Sequence, residues 1–333
     1  MIGYYVHHQG AGHLQRLQTV AAHLQTPVTG LSSLAAPNDW PGHWVGLDHD
    51  DRPAPLPNAD IDAHGRLHWA PLNHEGYRAR MAAIAAWLGT ARPHLMVVDV
   101  SVEVAVLART LGVPVAVVAM RGDRRDAGHE LAYDLATRLL APWPADLAEP
   151  GWPDRWTAKT FHSGAFSRFD EIAARPAAIP NDIVPESVTC LLGSGGSGLS
   201  VRDADAIAEA TPTWTWTFCG ADFGPSREPL PDLLARSQVV VTHAGQNAVA
   251  EVAALRRPAV VVAQDRPHGE QRATAQALDC GGIAVTCNGW PPVTEWPSLL
   301  DQALERGGSR WGSWNDRAAA PRFAAELDRL ARQ

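Results

Sequence analysis

The sequence predicts an α/β protein built from two doubly wound lobes that face one another across a cleft. Three observations carry that expectation. Short β-branched runs alternate with stretches of helical periodicity, the pattern of parallel strands joined by helical crossovers. The alternation occurs once in each half of the 333 residues, and two domains of roughly 100 to 200 residues fit that length. In both halves a glycine-rich turn separates a strand from the helix that follows it.

Taken in order, Ile2 to His7 is expected as a strand and His13 to Leu24 as a helix, with Leu14, Leu17, Ala21 and Leu24 at helical spacing. Gly10, Ala11 and Gly12 make the turn between them. The stretch from Trp40 to Pro71 is rich in proline, aspartate and histidine and reads as loops with one strand at Trp44 to Leu47. Leu95 to Asp99 reads as a buried strand, Val102 to Leu111 as a helix closed by Gly112 and Pro114, and Val115 to Ala119 as the next strand. The second lobe is expected from Phe166, which divides the chain into residues 1–165 and 166–333. Its strands are predicted at Ser187 to Leu192, Thr213 to Cys219, Gln238 to Thr242 and Ala259 to Ala263. Helices are predicted at Asp203 to Glu209, Pro231 to Ala235, Asn247 to Leu255 and Glu270 to Leu278. A last helix over about residues 317–332 is expected to pack back on the first lobe.

Composition narrows the function classes. Lysine and arginine number 28 against 36 acidic residues, a net charge of −8. No global positive field exists to hold a phosphate backbone, so nucleic acid is not the expected partner. The four cysteines show no C-x-x-C spacing, which argues against a zinc ribbon. Met1 to Val6 has neither a basic leader nor a long apolar stretch, so a signal peptide is not expected and a cytoplasmic location is. Leu95 to Met120 contains Asp99, Glu103 and Arg109, which excludes a membrane span there.

Ligands of open parallel sheets bind beyond the carboxyl ends of the strands, so the informative residues are those that follow strands. His243, Gly245, Gln246, Asn247 and Glu251 follow one strand and open a helix. The unpaired first amides of such a helix suit a diphosphate, His243 can donate to the same anion, and Glu251 can accept from a ribose diol. The same residues also serve as plain turn, cap and surface positions. Gly193, Ser194 and Gly195 begin a second glycine loop, without the lysine of a nucleotide-triphosphate loop. Glu270 and Gln271 pair a carboxylate with a carboxamide, suited to sugar hydroxyls. In the first lobe, Gly12 and His13 stand at a helix start, and Asp99 ends a strand. A carboxylate there can orient an imidazole and stabilise its protonated form, although both residue types also act as caps.

Two further features are weighed. Arg121, Arg124 and Arg125 follow a strand and can meet an anionic acceptor or lipid headgroup. Interleaved with Asp123 and Asp126, they read rather as a solvated loop. Asp60-Ile61-Asp62 and Asp203-Ala204-Asp205 match the D-x-D of metal-dependent sugar transfer, yet a proline-rich loop and a helix start favour structural roles.

The segment from His243 to Glu251 resembles the H-C-G-W-N-S-x-x-E stretch of the UDP-glycosyltransferases of GT-B fold and the same region of the MurG-type transferases. Gly193-Ser194 resembles their G-S loop, Glu270-Gln271 their D/E-Q pair, Gly10 to His13 their N-terminal glycine and histidine motif, and Val97-Val98-Asp99 the strand whose aspartate supports that histidine. The resemblance implies two Rossmann-like domains facing across a cleft, with His13 as base and Asp99 as its partner. It further implies that Ser194, His243 and Asn247 contact the pyrophosphate, Glu251 the ribose, and Glu270 with Gln271 the sugar. Gln246 stands where the plant-type enzymes have tryptophan.

The expected reaction is inverting, metal-independent transfer of a sugar from a nucleotide diphosphate donor, probed best as a UDP-sugar, to a hydroxyl acceptor that is a small molecule, a glycan or a lipid-linked species. No cofactor is expected, and peripheral contact with the inner membrane face is compatible with the MurG resemblance. Arg16 completes G-A-G-H-x-x-R, also reminiscent of nucleotide-sugar hydrolases, so hydrolysis or epimerisation on the same fold is the rival. A non-catalytic nucleotide-sugar binding protein is the third reading.

Overall fold

In the computed structural model, which describes residues 1–175, 178–180, 182–193 and 198–333, two parallel sheets follow one another along the chain. The first lobe runs β1 (Ile2–Val6), α1 (Ala11–Ala21), β2 (Val28–Ser32), β3 (His43–Gly46), α2 (Glu75–Ala91), β4 (Leu95–Asp99), α3 (Val102–Thr110), β5 (Val115–Val118), α4 (Ala127–Leu135), β6 (Arg138–Ala141), α5 (Asp154–Thr157) and β7 (Thr160–His162). The short α6 (Asp170–Ala173) lies in the connection. The second lobe runs β8 (Val184–Leu191), α7 (Val201–Ala210), β9 (Thr215–Cys219), α8 (Leu230–Arg236), β10 (Ser237–His243), α9 (Gln246–Leu255), β11 (Ala259–Ala263), α10 (Glu270–Cys280), β12 (Val285–Asn288) and α11 (Trp296–Arg306). Then come α12 (Trp311–Trp314) and α13 (Ala319–Ala331).

The first sheet has the order β3-β2-β1-β4-β5-β6-β7 and the second β12-β11-β10-β8-β9, with parallel neighbours throughout. Strands covered by helices on both faces are apolar along their whole length, and β1, β4 and β11 are buried at every position. Each order reverses once, between β1 and β4 in the first sheet and between β8 and β10 in the second. At such a reversal the two flanking crossovers leave in opposite directions and open a crevice at the strand ends. His13 lies just beyond β1 and Asp99 ends β4; Gly193 lies just beyond β8 and His243 ends β10. The switch points therefore place four of the residues that the sequence singles out.

Helix α13 belongs by packing to the first lobe. Phe323, Ala324 and Leu327 are buried with Tyr4, Leu17 and Phe166 in one cluster, and the Phe166 and Phe323 rings meet edge to face at 5.5 Å. Asp328 accepts the backbone N–H groups of Gln25 at 3.1 Å and Thr26 at 2.9 Å, which fixes the turn after α1.

Several elements escape the sequence pattern for physical reasons. Helix α2 buries Arg80, Ile84 and Leu88 as its inward stripe, so a charged residue interrupts the apolar periodicity. Strand β2 carries Gly30 and two hydroxyl residues, and β6 and β7 are only 4 and 3 residues long. The two D-x-D segments hold backbone turns. The Asp60 carboxylate accepts N–H of Asp62 and His64 at 3.2 Å, and Asp203 forms a reciprocal capping box with Ser200 at the start of α7.

Candidate active site

A cavity of about 440 Å³ opens between the lobes, within the size range of small-molecule sites. Gly10 to His13 and Arg16 line it from one side; Gly193, His243 to Ala248, Glu251, Glu270 and Gln271 line it from the other. Two helix N-termini meet there. Both α1 and α9 begin at a glycine without a side-chain cap, which leaves first-turn N–H groups and their partial positive charge at the cleft.

On the first lobe, His13 Nδ1 lies 3.0 Å from Asp99 Oδ1. The carboxylate is fully buried, and Arg16 Nη1 donates to both of its oxygens at 2.6 and 2.7 Å. Burial alone pushes the Asp99 carboxyl upward, but the Arg16 and His13 charges outweigh it and hold the group below the ordinary carboxylate range. Asp99 is thus an anion at neutral pH that fixes one ring nitrogen and leaves Nε2 as the other. The next residue, Val100, has a φ of 64°, a left-handed conformation that is strained for a β-branched side chain and clusters at functional sites.

On the second lobe, Gly245 N–H donates to His243 Nδ1 at 3.0 Å, so the neutral ring carries its proton on Nε2. That nitrogen faces Gly193, where an added Cβ would come within 2.7 Å of it; a Cβ on Gly245 would meet the same ring at 2.3 Å. Glycine is required at both positions by this close approach. Burial, reinforced by the Arg266 charge, pushes His243 down to about 4. It is therefore a neutral hydrogen-bond donor at the turn. Gln271 Oε1 accepts N–H of Gln264 at 3.0 Å, and its Nε2 lies 3.5 Å from His243 Nδ1.

The remaining expected site residues fall into three groups. Gln246 and Asn247 hold the lobes together: Arg16 Nη2 donates to Gln246 Oε1 at 2.5 Å, and Asn247 Nδ2 donates to Gly12 O at 3.1 Å and Gln15 Oε1 at 3.2 Å. Glu251 is buried at the cavity and paired with Arg168 at 2.8 Å; burial raises its carboxyl, and Arg168 only partly offsets this. Glu270 lies 3.5 Å from Arg124 Nη2. Ser194 and Gly195 lie outside the described residues.

The expectation of a solvated arginine loop is corrected for two of its three members. Arg121 is buried between the Trp143 and Trp314 rings at 4.8 and 5.2 Å, paired with Glu149 at 3.2 Å and donating to Leu147 O. Burial pushes its guanidinium down to about 10, with Glu149 opposing. Arg124 is likewise buried, donating to Arg121 O at 2.8 Å. Arg125 alone is exposed, paired with Asp123. Both buried arginines brace the wall where Asp123 N–H donates to His268 O of the opposite lobe at 2.8 Å. Arg168 escaped notice because it stands in the connection between the lobes, where reasoning from strand ends does not look.

Comparison with known proteins bears on the fold. Residues 225–288 match the C-terminal domain of glycosyltransferase family 28. Among solved structures, the glycotransferase of kitacinnamycin superposes with a TM-score of 0.69 at 17% identity, covering 99% of this chain and 98% of that one. MurG of Acinetobacter baumannii gives 0.63 at 15% identity, with 99% of both chains covered. Phytolacca americana UGT2 complexed with UDP-2-fluoro-glucose and pterostilbene gives 0.62 at 16%, covering 98% and 93%. No match is found among curated proteins. The chain is similar to these proteins in the GT-B architecture from end to end, and residues 225–288 of its C-terminal lobe match the C-terminal domain of family 28 glycosyltransferases.

Proposed function

We propose that the protein transfers a sugar from a nucleotide diphosphate donor to a hydroxyl acceptor by a single inverting displacement. His13 takes the proton of the acceptor hydroxyl at Nε2, and Asp99, fixed by Arg16, holds the ring and stabilises the imidazolium. The N-terminus of α9 with the Nε2–H of His243 receives the departing diphosphate. One observation carries the reading: an imidazole with a buried carboxylate partner and an uncapped helix end with a neutral histidine line opposite walls of one cavity. A positioned base contributes about 10² to 10⁴ in rate, and preorganised donors at the developing charge about 10² to 10³ each.

UDP is the proposed nucleotide, supported by the UDP-2-fluoro-glucose complex of the similar Phytolacca enzyme. The diphosphate is proposed to leave without a metal, because helix and histidine donors already stand there. UDP affinity unchanged by EDTA supports this; affinity lost on chelation and restored by Mn²⁺ overturns it. Glu251 is assigned to the ribose and Glu270 with Gln271 to the sugar. Among the described residues no helix is long and apolar enough to cross a membrane. A cytoplasmic enzyme that touches the inner membrane face is the proposed location, with the long loop of the first lobe, where Leu56 and Leu72 are 71% and 61% exposed, as the proposed contact.

Transfer and hydrolysis share the donor site. The deciding experiment incubates UDP-sugars with and without an alcohol acceptor panel and follows both free sugar and glycoside. Glycoside formation that ceases in His13→Ala supports transfer. Rapid release of free sugar without acceptor supports the hydrolase reading, for which the Arg16 contact to Asp99 is the relevant observation. A binding protein would have no need of the His13–Asp99 pair.

A further inference from the structure

On the first lobe beside the cleft, three buried polar atoms converge without a hydrogen-bond partner. His8 stands two residues past β1, and His49 and Asp51 lie in the loop that follows β3. His8 Nε2, His49 Nδ1 and Asp51 Oδ1 are each buried and make no hydrogen bond. One such atom calls for an explanation; three in one place call for a shared one. His8 Nε2 is 3.4 Å from Asp51 Oδ2, and His49 Nδ1 is 3.5 Å from Asp51 Oδ1. The three ligand atoms lie within 4.8 Å of one another. Ligands about 2.0 to 2.2 Å from a tetrahedral ion stand about 3.3 to 3.5 Å apart, and each imidazole already stands at about that distance from one oxygen of the Asp51 carboxylate.

The loop is held by its backbone rather than by these side chains. Asp48 O accepts from Ser33 Oγ at 2.9 Å and Arg80 Nε at 3.1 Å, and Asp50 O accepts from Trp69 Nε1 at 2.9 Å. A Cβ on Gly76 would come within 2.0 Å of His49 O, so α2 presses directly on the loop. The ligand side chains therefore project from a fixed frame. Asp50 Oδ1 lies 3.7 Å from His8 Nδ1, on the side from which a carboxylate accepts the ring N–H of a metal-bound imidazole. Arg80 Nη2, 3.3 Å from the same nitrogen, also reaches Ser33 and Asp50, so its N–H groups have other acceptors. His49 and Asp51 are 37% and 29% exposed in their side chains, which leaves a solvent side for access and for a water ligand.

We propose that His8, His49 and Asp51 form a binding site for a divalent first-row transition-metal cation, which ties the segment leading to His13 to the loop after β3 on the acceptor side. Two neutral imidazoles and one carboxylate are a donor set suited to Zn²⁺ and its neighbours. A second cluster, His68, Asp126 and His129, has the same residue types, but there the atoms satisfy one another by hydrogen bonds of 2.7 and 2.5 Å. The inference stands apart from the transfer reading, because its test counts bound metal.

The full-length protein, stripped with EDTA and dialysed, is titrated with ZnCl₂ by calorimetry and with Co²⁺ by visible absorption. The expected result is a single saturable site with a Kd of about 1 µM or tighter and a rise in Tm on adding Zn²⁺. His49→Ala and Asp51→Asn each weaken binding at least about tenfold and remove the Tm rise, while folded by circular dichroism. His68→Ala with His129→Ala leaves the Kd within about twofold. Absence of saturable binding overturns the proposal, as does binding that survives His49→Ala and Asp51→Asn together or disappears in His129→Ala.

Discussion

The two switch points of this molecule carry a histidine each, in opposite electrostatic settings. His13 touches a buried anion at 3.0 Å, whereas His243 has a backbone N–H on its Nδ1 and the Arg266 charge nearby, and burial drives it down to about 4. The same side chain meets a buried carboxylate in one lobe and, in the other, a backbone donor in a setting that keeps it neutral. The difference teaches that a histidine at a switch point acquires its setting from what the neighbouring strand presents: β4 ends in the Asp99 carboxylate, whereas Gly193 follows β8.

The sharpest way to break that contrast is to delete each ring in turn. His13→Ala is expected to lower kcat by about 10³-fold or more while the Kd for UDP stays within about threefold, read by steady-state kinetics and calorimetry. His243→Ala is expected to do the reverse, weakening UDP by about tenfold or more, a loss of about 1.4 kcal/mol. Equal effects on Kd from both variants would remove the distinction. Next in size, Asp99→Asn should lower kcat by about 10² to 10⁴-fold, because an amide neither fixes the tautomer nor stabilises the imidazolium. Near-normal turnover in that variant would sink the assignment of Asp99.

A third test concerns the closed arrangement. Gln246→Ala and Asn247→Ala each remove side-chain bonds between lobes, and we expect the donor KM to rise about three- to tenfold with smaller changes in kcat. A fourth uses pH. His243 has its folded value below the ordinary 6.5, so the unfolded chain takes up its proton first as pH falls. Its contribution to stability is then complete above about 6.5 and lost progressively toward pH 4. His129, driven by burial to about 4, acts in the same window and direction. A Tm profile for His243→Gln should be flatter than wild type between pH 6.5 and 4; identical slopes would contradict the environment assigned to the ring. The smallest effect is expected at Val100→Gly, which relieves a left-handed β-branched residue at the end of β4 and should alter stability by less than about 1 kcal/mol while loosening Asp99. Unchanged kcat there would show that the strain does not serve the site.

Much of this was legible in the sequence, and the rest was hidden for identifiable reasons. Buried strands and glycine turns announce themselves, so β1, β4, β10 and β11 and the strand-end residues His13, Asp99 and His243 could be read directly. Helix α2 was missed because Arg80 occupies its inward stripe, where it donates to Tyr5 Oη at 2.6 Å. Arg121 and Arg124 read as a solvated loop because sequence shows charge but not the tryptophan rings that enclose it. Asn247 was expected to open the helix and Gln246 to precede it, whereas α9 starts at Gln246; their bonds to the other lobe depend on how the lobes close, which no local pattern records. The three converging atoms at His8, His49 and Asp51 come from segments about 40 residues apart, without the close spacing that marks a metal motif.

The return of α13 to the first lobe has a consequence for biogenesis. A nascent chain that has emerged through β7 possesses all seven strands of its first sheet but lacks the hydrophobic cover that residues 319–331 supply against Tyr4, Leu17 and Phe166. The lobe begun first therefore gains this cover only after the other lobe's strands have been made, and a chain interrupted before residue 319 leaves the lobe holding His13 with an open apolar flank.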